Sequence, residues 1–145
     1  MTNHYRKCAL AVFAASSLAA SAADTWVAPA RAAQKKNPTT ADEKSITTGK
    51  IVYEKECLSC HGATGKGDGP KANQLKKHAG DFSLPKMWEQ TDGALFWKTT
   101  EGKMPMPKYD KLLTEEERWH VINYIRTLAP KPASPDPQPK EADKK

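Results

Sequence analysis

Five consecutive residues, Cys57-Leu58-Ser59-Cys60-His61, hold the densest chemistry in the chain. Two thiols at this spacing can each add to one vinyl group of a haem, and the imidazole that follows can reach the iron as an axial ligand. All three must be close in sequence because the vinyl groups and the iron are fixed on one macrocycle. Other uses of a Cys-x-x-Cys pair ask for different surroundings. A dithiol redox pair belongs in a βαβ unit, and no alternating strand pattern is present. A zinc site needs a second cysteine or histidine pair at ligand spacing, and His78 and His120 are too isolated to supply it. A disulfide across so short a loop would stabilise little. Haem attachment is the expectation.

An iron held by His61 has a second axial position. The side chains able to fill it are Met87, Met104, Met106, His78 and His120. Met104-Pro105-Met106-Pro107 offers two thioethers in an extended, proline-flanked loop that can present a sulfur rigidly. Met87 stands alone and reads as apolar packing, the usual use of such a methionine.

The elements that must position these groups read as helices. Thr40 and Glu43 form a capping box, after which Ile46, Gly49, Tyr53 and Cys57 recur at spacings of three and four. A short second helix is predicted from Pro70, suited to a first helical position, to about His78 before Gly80. Leu95, Phe96 and Trp97 after Asp92 predict a third, ending near Gly102. The last helix is the clearest. Thr114 and Glu117 make another capping box, Glu115 and Glu116 sit at the positive end of its dipole, and the helix runs to about Leu128. Trp119, Val121, Ile122, Tyr124, Ile125 and Leu128 are its apolar residues, with Glu116, His120, Asn123 and Thr127 on an opposite polar face. The fold class is all-α. A core of this size needs a staple or a cofactor, and the glycine-rich stretch Gly62–Gly69 cannot pack by itself.

Three segments together, CLSCHGATGKGDGP, MPKYDKLL and LTEEERWHVINYIRTL, resemble the class I (mono-haem) c-type cytochromes, over roughly Ser45–Leu128. The resemblance implies a small cytochrome c fold, with N- and C-terminal helices crossing around one covalently bound haem c. It places the ligand methionine in a Met-Pro-x-Tyr loop shortly before a Leu-Thr helix start. Met106-Pro107-Lys108-Tyr109 and Leu113-Thr114 match that pattern, so Met106 is implied as the sixth ligand, with Met104 as runner-up. Gly49, facing an aromatic on the last helix, and Tyr53 and Tyr124 match the helix crossing. With His61 and Met106 on the iron no position is open to a substrate, so the expected role is electron transfer and not catalysis. The soft thioether favours Fe(II) and raises the potential.

The rest of the chain sets the context. Residues 1–23 carry Arg6 and Lys7, no acid and an apolar run of small residues, the pattern of a secretory signal. Cleavage is expected after Ala23 or as late as Ala33, giving a periplasmic or otherwise exported protein with no integral membrane segment in the mature chain. Residues 24–39 read as a linker, 40–130 as the domain and 131–145 as a proline-rich disordered tail. The 145 residues carry a net charge of +6, a mild excess without the long Lys/Arg stripe of a nucleic-acid binder. Lys66, Lys71, Lys76, Lys77, Lys103, Lys108 and Lys111 read either as a ring that steers an acidic redox partner or as an ordinary solvated surface. Three roles follow from these features. They are a monomeric, diffusible electron shuttle between redox partner proteins, a haem subunit docked to a dehydrogenase or oxidase, and a haem sensor or peroxidase-like enzyme. The last needs a weak or absent sixth ligand.

Overall fold

The computed structural model describes residues 26–129, and the expected signal and tail, residues 1–23 and 131–145, lie outside them. Six α-helices follow in order: α1 (Ala30–Ala33), α2 (Glu43–Glu56), α3 (Leu58–His61), α4 (Pro85–Trp88), α5 (Asp92–Glu101) and α6 (Glu115–Leu128). Among the described residues the only β feature is an isolated bridge between Lys103 and Met106. The fold is all-α, as expected.

α2 and α6, both 14 residues long, cross at Gly49. A Cβ there would stand 2.0 Å from the His120 carbonyl oxygen and 3.0 Å from Tyr124 Cβ. Only glycine lets the two backbones come so close. Just beyond the crossing the Tyr53 and Tyr124 rings pack at 5.1 Å, so the pairing implied by the resemblance is present. Val52, Tyr53 and Cys57 of α2 and Val121, Ile122 and Ile125 of α6 form one core with Leu95, Tyr109 and Leu113. Gly49→Ala is expected to lower stability by on the order of 3 kcal/mol, at the upper end of overpacking costs. A thermal midpoint about 10–20 °C below wild type would show it, and an unchanged midpoint would mean the crossing relaxes freely.

The start of α2 differs from the sequence expectation. Asp42 is the N-cap, its carboxylate accepting from the Ser45 amide at 2.8 Å, whereas Thr40 and Glu43 do not form the capping box. Thr39 and Thr40 instead offer their carbonyls to the Asn123 amide. Thr91, not read as a cap from the sequence, caps α5, and the Thr114–Glu117 box opens α6 as predicted.

The stretch read as a linker is also different from Trp26 onwards. α1 lies against α5, where a Cβ on Gly93 would meet the Ala32 carbonyl oxygen at 2.4 Å. The Thr91 hydroxyl donates to the Ala33 carbonyl at 2.6 Å. Lys35 sits over the Phe96 ring at 4.6 Å and pairs with Glu115 at 2.7 Å. Asn37 donates to the Asn123 side chain at 2.7 Å. This strap has few apolar side chains to bury, which is why composition reads as tether; polar contacts seat it.

Those contacts also revise the polar face of α6. Asn123 is buried, donating to Ser45 Oγ at 2.8 Å, and His120 Nδ1 meets the same oxygen at 2.8 Å. The face is an internal polar seam between α2, α6 and the strap.

Candidate functional site

One turn of chain presents the motif. Cys57 closes α2 by donating its amide to the Tyr53 carbonyl at 2.8 Å, and the amides of Cys60 and His61 both bond to the Cys57 carbonyl at 3.1 and 2.9 Å. The glycine-rich run then wraps this turn. Gly67 donates to the His61 carbonyl at 2.8 Å, Gly69 to that of Cys60 at 3.2 Å and Lys71 to that of Ser59 at 2.8 Å. These bonds explain a second departure from the sequence reading. Between Pro70 and His78 there is only a 3-10 turn at Ala72–Gln74; the Lys71 amide is committed to the Ser59 carbonyl of α3, and Leu75 alone offers a large apolar anchor. Phe82 donates its amide to the Gly65 carbonyl at 2.7 Å and stacks its ring on His61, centroids 4.6 Å apart.

Cys57, Cys60 and His61 open onto a cavity of about 500 Å³, within the range of cofactor sites. Its walls include Leu95, Lys98 and Thr99 of α5 and Val121, Ile122 and Ile125 of α6. The thiols are not joined to each other. Burial, the Glu56 carboxylate and Cys60 push the Cys57 thiol up to about 12. A reactive dithiol needs the opposite shift. Burial lowers the His61 imidazole to about 4, opposed by the Gly80 backbone and aided slightly by His78. The ring is therefore neutral at ordinary pH, the form a metal binds. Its Nδ1 is buried without a hydrogen-bond partner.

The methionine loop borders the same cavity. α5 ends at Gly102, φ 60°, where a Cβ would lie 2.4 Å from the Pro107 carbonyl oxygen. Lys103 and Met106 then exchange two backbone hydrogen bonds, at 3.0 and 2.9 Å, around a Met104-Pro105 tip. That turn separates the two thioethers. Met104 at the tip is 84% exposed, whereas Met106 is partly buried and packs against the core. Met87 also packs against the core, its sulfur accepting from the Gln90 amide at 3.2 Å. His78 is exposed, bonded to the Gly80 amide, and His120 belongs to the α2–α6 seam. Of the five candidates, His78, Met87, Met104 and Met106 all line the cavity and His120 does not; of the two loop sulfurs Met106 is the inner one.

Two side chains hold the loop: Tyr109, which the sequence offered only as part of the Met-Pro-x-Tyr match, and Arg118, which it did not single out. Tyr109 is buried and donates its hydroxyl to the Glu56 carbonyl at 2.9 Å, tying the loop to the residue before Cys57. Arg118 Nη1 donates to the carbonyls of Leu113 at 2.6 Å, Tyr109 at 3.2 Å and Asp110 at 3.4 Å. The Arg118 signal was available. At helical spacing it falls in line with Val121, Ile122 and Ile125, and an arginine inside an apolar stripe calls for a buried partner.

A covalently held haem fits this site. Two free thiols, a neutral imidazole with an unpartnered nitrogen and an inward thioether share one largely apolar cavity. No group of three or more His, Cys, Asp or Glu side chains that could hold a metal ion occurs among the described residues, and none of their helices is long and apolar enough to cross a membrane.

A family model described as Cytochrome c matches residues 46–129. No curated protein matches. Among solved structures, a reducing HAO-like protein complex of Kuenenia stuttgartiensis contains a chain similar to this one, with 31% identity and a TM-score of 0.58. The likeness covers 63% of this chain and 47% of that one, so this chain corresponds to about half of its solved counterpart.

Proposed function

Since the chain belongs to the cytochrome c family, in which covalently bound haem c serves electron transfer, we propose that it is an exported single-electron carrier. One haem is bound through Cys57 and Cys60, with His61 and Met106 as axial ligands. The observation that carries this reading is the shared cavity, bordered both by the Cys57–His61 turn and by the Met106 loop. When bound, the haem supplies a one-electron couple whose potential a thioether ligand raises.

The chain's own residues hold and enclose. Val121, Ile122 and Ile125 line the cavity with apolar surface. Phe82 braces the His61 ring and Tyr109 fixes the loop, so both donor atoms have firm supports. With His61 and Met106 both holding a haem on these stiff supports, geometric change on electron transfer would be small and no position would be open to a substrate.

A second reading has its own support. The similar solved chain is part of a protein complex, which favours a dedicated haem subunit over a free shuttle. Co-purification with a larger redox enzyme separates the two. Electron-transfer rates that do not change with ionic strength would sink steering by the lysines.

The primary test is the absorption spectrum of the oxidised and reduced protein, for wild type, Met106→Ala and Met104→Ala. Haem should survive acid–organic extraction, and the near-infrared sulfur–iron band should vanish only in Met106→Ala. Loss of the band only in Met104→Ala would transfer the ligand role to the outer sulfur. Strong carbon monoxide binding to the reduced wild type would point to a sensor or peroxidase-like enzyme instead.

A further inference from the structure

A haem brings two carboxylates, its propionates, into an apolar cavity, and each ionised group needs a cation or donors there. Lys98 on α5 lines the cavity and is partly buried. Its ammonium donates to Gln90 Oε1 and stands over the Trp26 ring at 5.4 Å. No carboxylate among the described residues pairs with it. The neighbouring Arg126 differs, since Asp92 meets it at 2.8 Å while it also donates to the Met87 and Gln90 carbonyls. Lys86 borders the same cavity, and burial together with Lys86 lowers the Lys98 ammonium pKa. A second cation beside a half-buried unpaired one is unfavourable until an anion joins them.

We propose that Lys98, set by Gln90 and Trp26, is the cationic partner of one haem propionate. This rests on the reading that haem is attached through Cys57 and Cys60. The Gln90 amide is itself oriented, donating to the Met87 sulfur at 3.2 Å, and Arg126 holds the Gln90 carbonyl. The lysine is therefore seated in a prepared corner and is not a loose surface charge.

The test is the reduction potential of the holoprotein from pH 5 to 8, for wild type, Lys98→Met and Lys98→Arg. Removing a cation beside the haem disfavours the added electron. At fixed ambient potential, Lys98→Met should lower the reduced-to-oxidised ratio about tenfold, which for one electron is about 59 mV. The propionate, no longer held ionised, should also take up a proton within this range. The potential of the variant then falls with rising pH, while that of wild type stays nearly flat. Lys98→Arg should follow wild type. The cavity's other charged and imidazole side chains, Glu56, His61, Lys77, His78, Asp81 and Lys103, are common to all three proteins, as are Lys86 and the Asp92–Arg126 pair. A slope found only in Lys98→Met therefore belongs to the propionate. A purely structural lysine would lower the melting temperature without creating that slope, and a wild-type pH profile in Lys98→Met overturns the assignment. If Lys98→Met does not accumulate as holoprotein, Lys98→Gln carries the same test. Haem lost from wild type on extraction would fail the underlying reading instead, visibly before any potential is measured.

Discussion

A chain carrying Cys57→Ser and Cys60→Ser together should give up its haem to acid–organic extraction and then unfold over a broad range instead of in one sharp transition. The reason is the size of the space at the centre. A dry cavity costs about 24 cal/mol per Å³, so about 500 Å³ sets an upper limit on the order of 12 kcal/mol. Water entering at the mouth reduces that figure. Even so, the remainder is comparable with the whole stability of an ordinary domain, about 5–15 kcal/mol. Leu75, Phe82, Met87 and Met106, which line the cavity and are only partly buried, would lose their cover, and the α2–α6 crossing would be left to hold the fold almost alone. Each single serine variant keeps one thiol and should retain haem through one thioether. Far-ultraviolet circular dichroism with heating reads the outcome. A double variant that melts sharply at the wild-type temperature would mean the haem is not part of the core.

Arg118→Leu should be the most destabilising change away from the motif, costing roughly 3 kcal/mol or more. Bonds from a charged donor contribute about 1.5–3 kcal/mol each, and a buried acceptor left without a partner costs about 1–3 kcal/mol. Arg118 is 8% exposed, and the carbonyls of Tyr109 and Leu113 have its guanidinium close by. Its guanidinium also lies on the Phe96 face at 5.1 Å, so leucine replaces some packing but none of the donors. The denaturation midpoint should fall with little change in slope. A second effect separates this anchor from general weakening: with the end of the loop released, the near-infrared sulfur–iron band should be lost at a lower temperature than the haem's visible bands. Arg118→Lys keeps the charge but not the fork of donors, and should fall between the two. A leucine variant within about 0.5 kcal/mol of wild type, the range of ordinary surface substitutions, would show that the three bonds carry little.

What the sequence made legible follows from where the signals are local. Thr114–Glu117, the Leu95–Trp97 run after Asp92 and the Ile46–Cys57 spacing are each local, and α6, α5 and α2 are found where those patterns put them. The thiols and His61 share one turn, so five letters were enough to bring them together. The Met-Pro-x-Tyr match already pointed to Met106 over Met104, and the loop's fold adds that Met104 is 84% exposed whereas Met106 packs against the core. The readings that changed depend on distant partners. Pro70–His78 has helical composition, yet the Lys71 amide at its start is drawn to the Ser59 carbonyl. Asn123 and His120 look like a solvated face until Ser45, Asn37 and the threonine carbonyls arrive from more than seventy residues away. Lys98 gave no sign, because nothing in its own helix says that it turns inward.

The crossing at Gly49 also sets an order of events in time. Ser45 and His120, which meet across it, are 75 positions apart, and contacts of such separation form late because the loop between them must close first. On a growing or emerging chain, α2 and the Cys57–His61 turn appear long before α6 can cover them. Cys57 is 8% exposed once the fold is complete, so its thiol is most accessible in that earlier interval. Chemistry on the cysteines is easiest before closure. A slowly delivered C-terminal helix would lengthen the interval, whereas a chain that folded first would leave the thiols reachable only through the cavity.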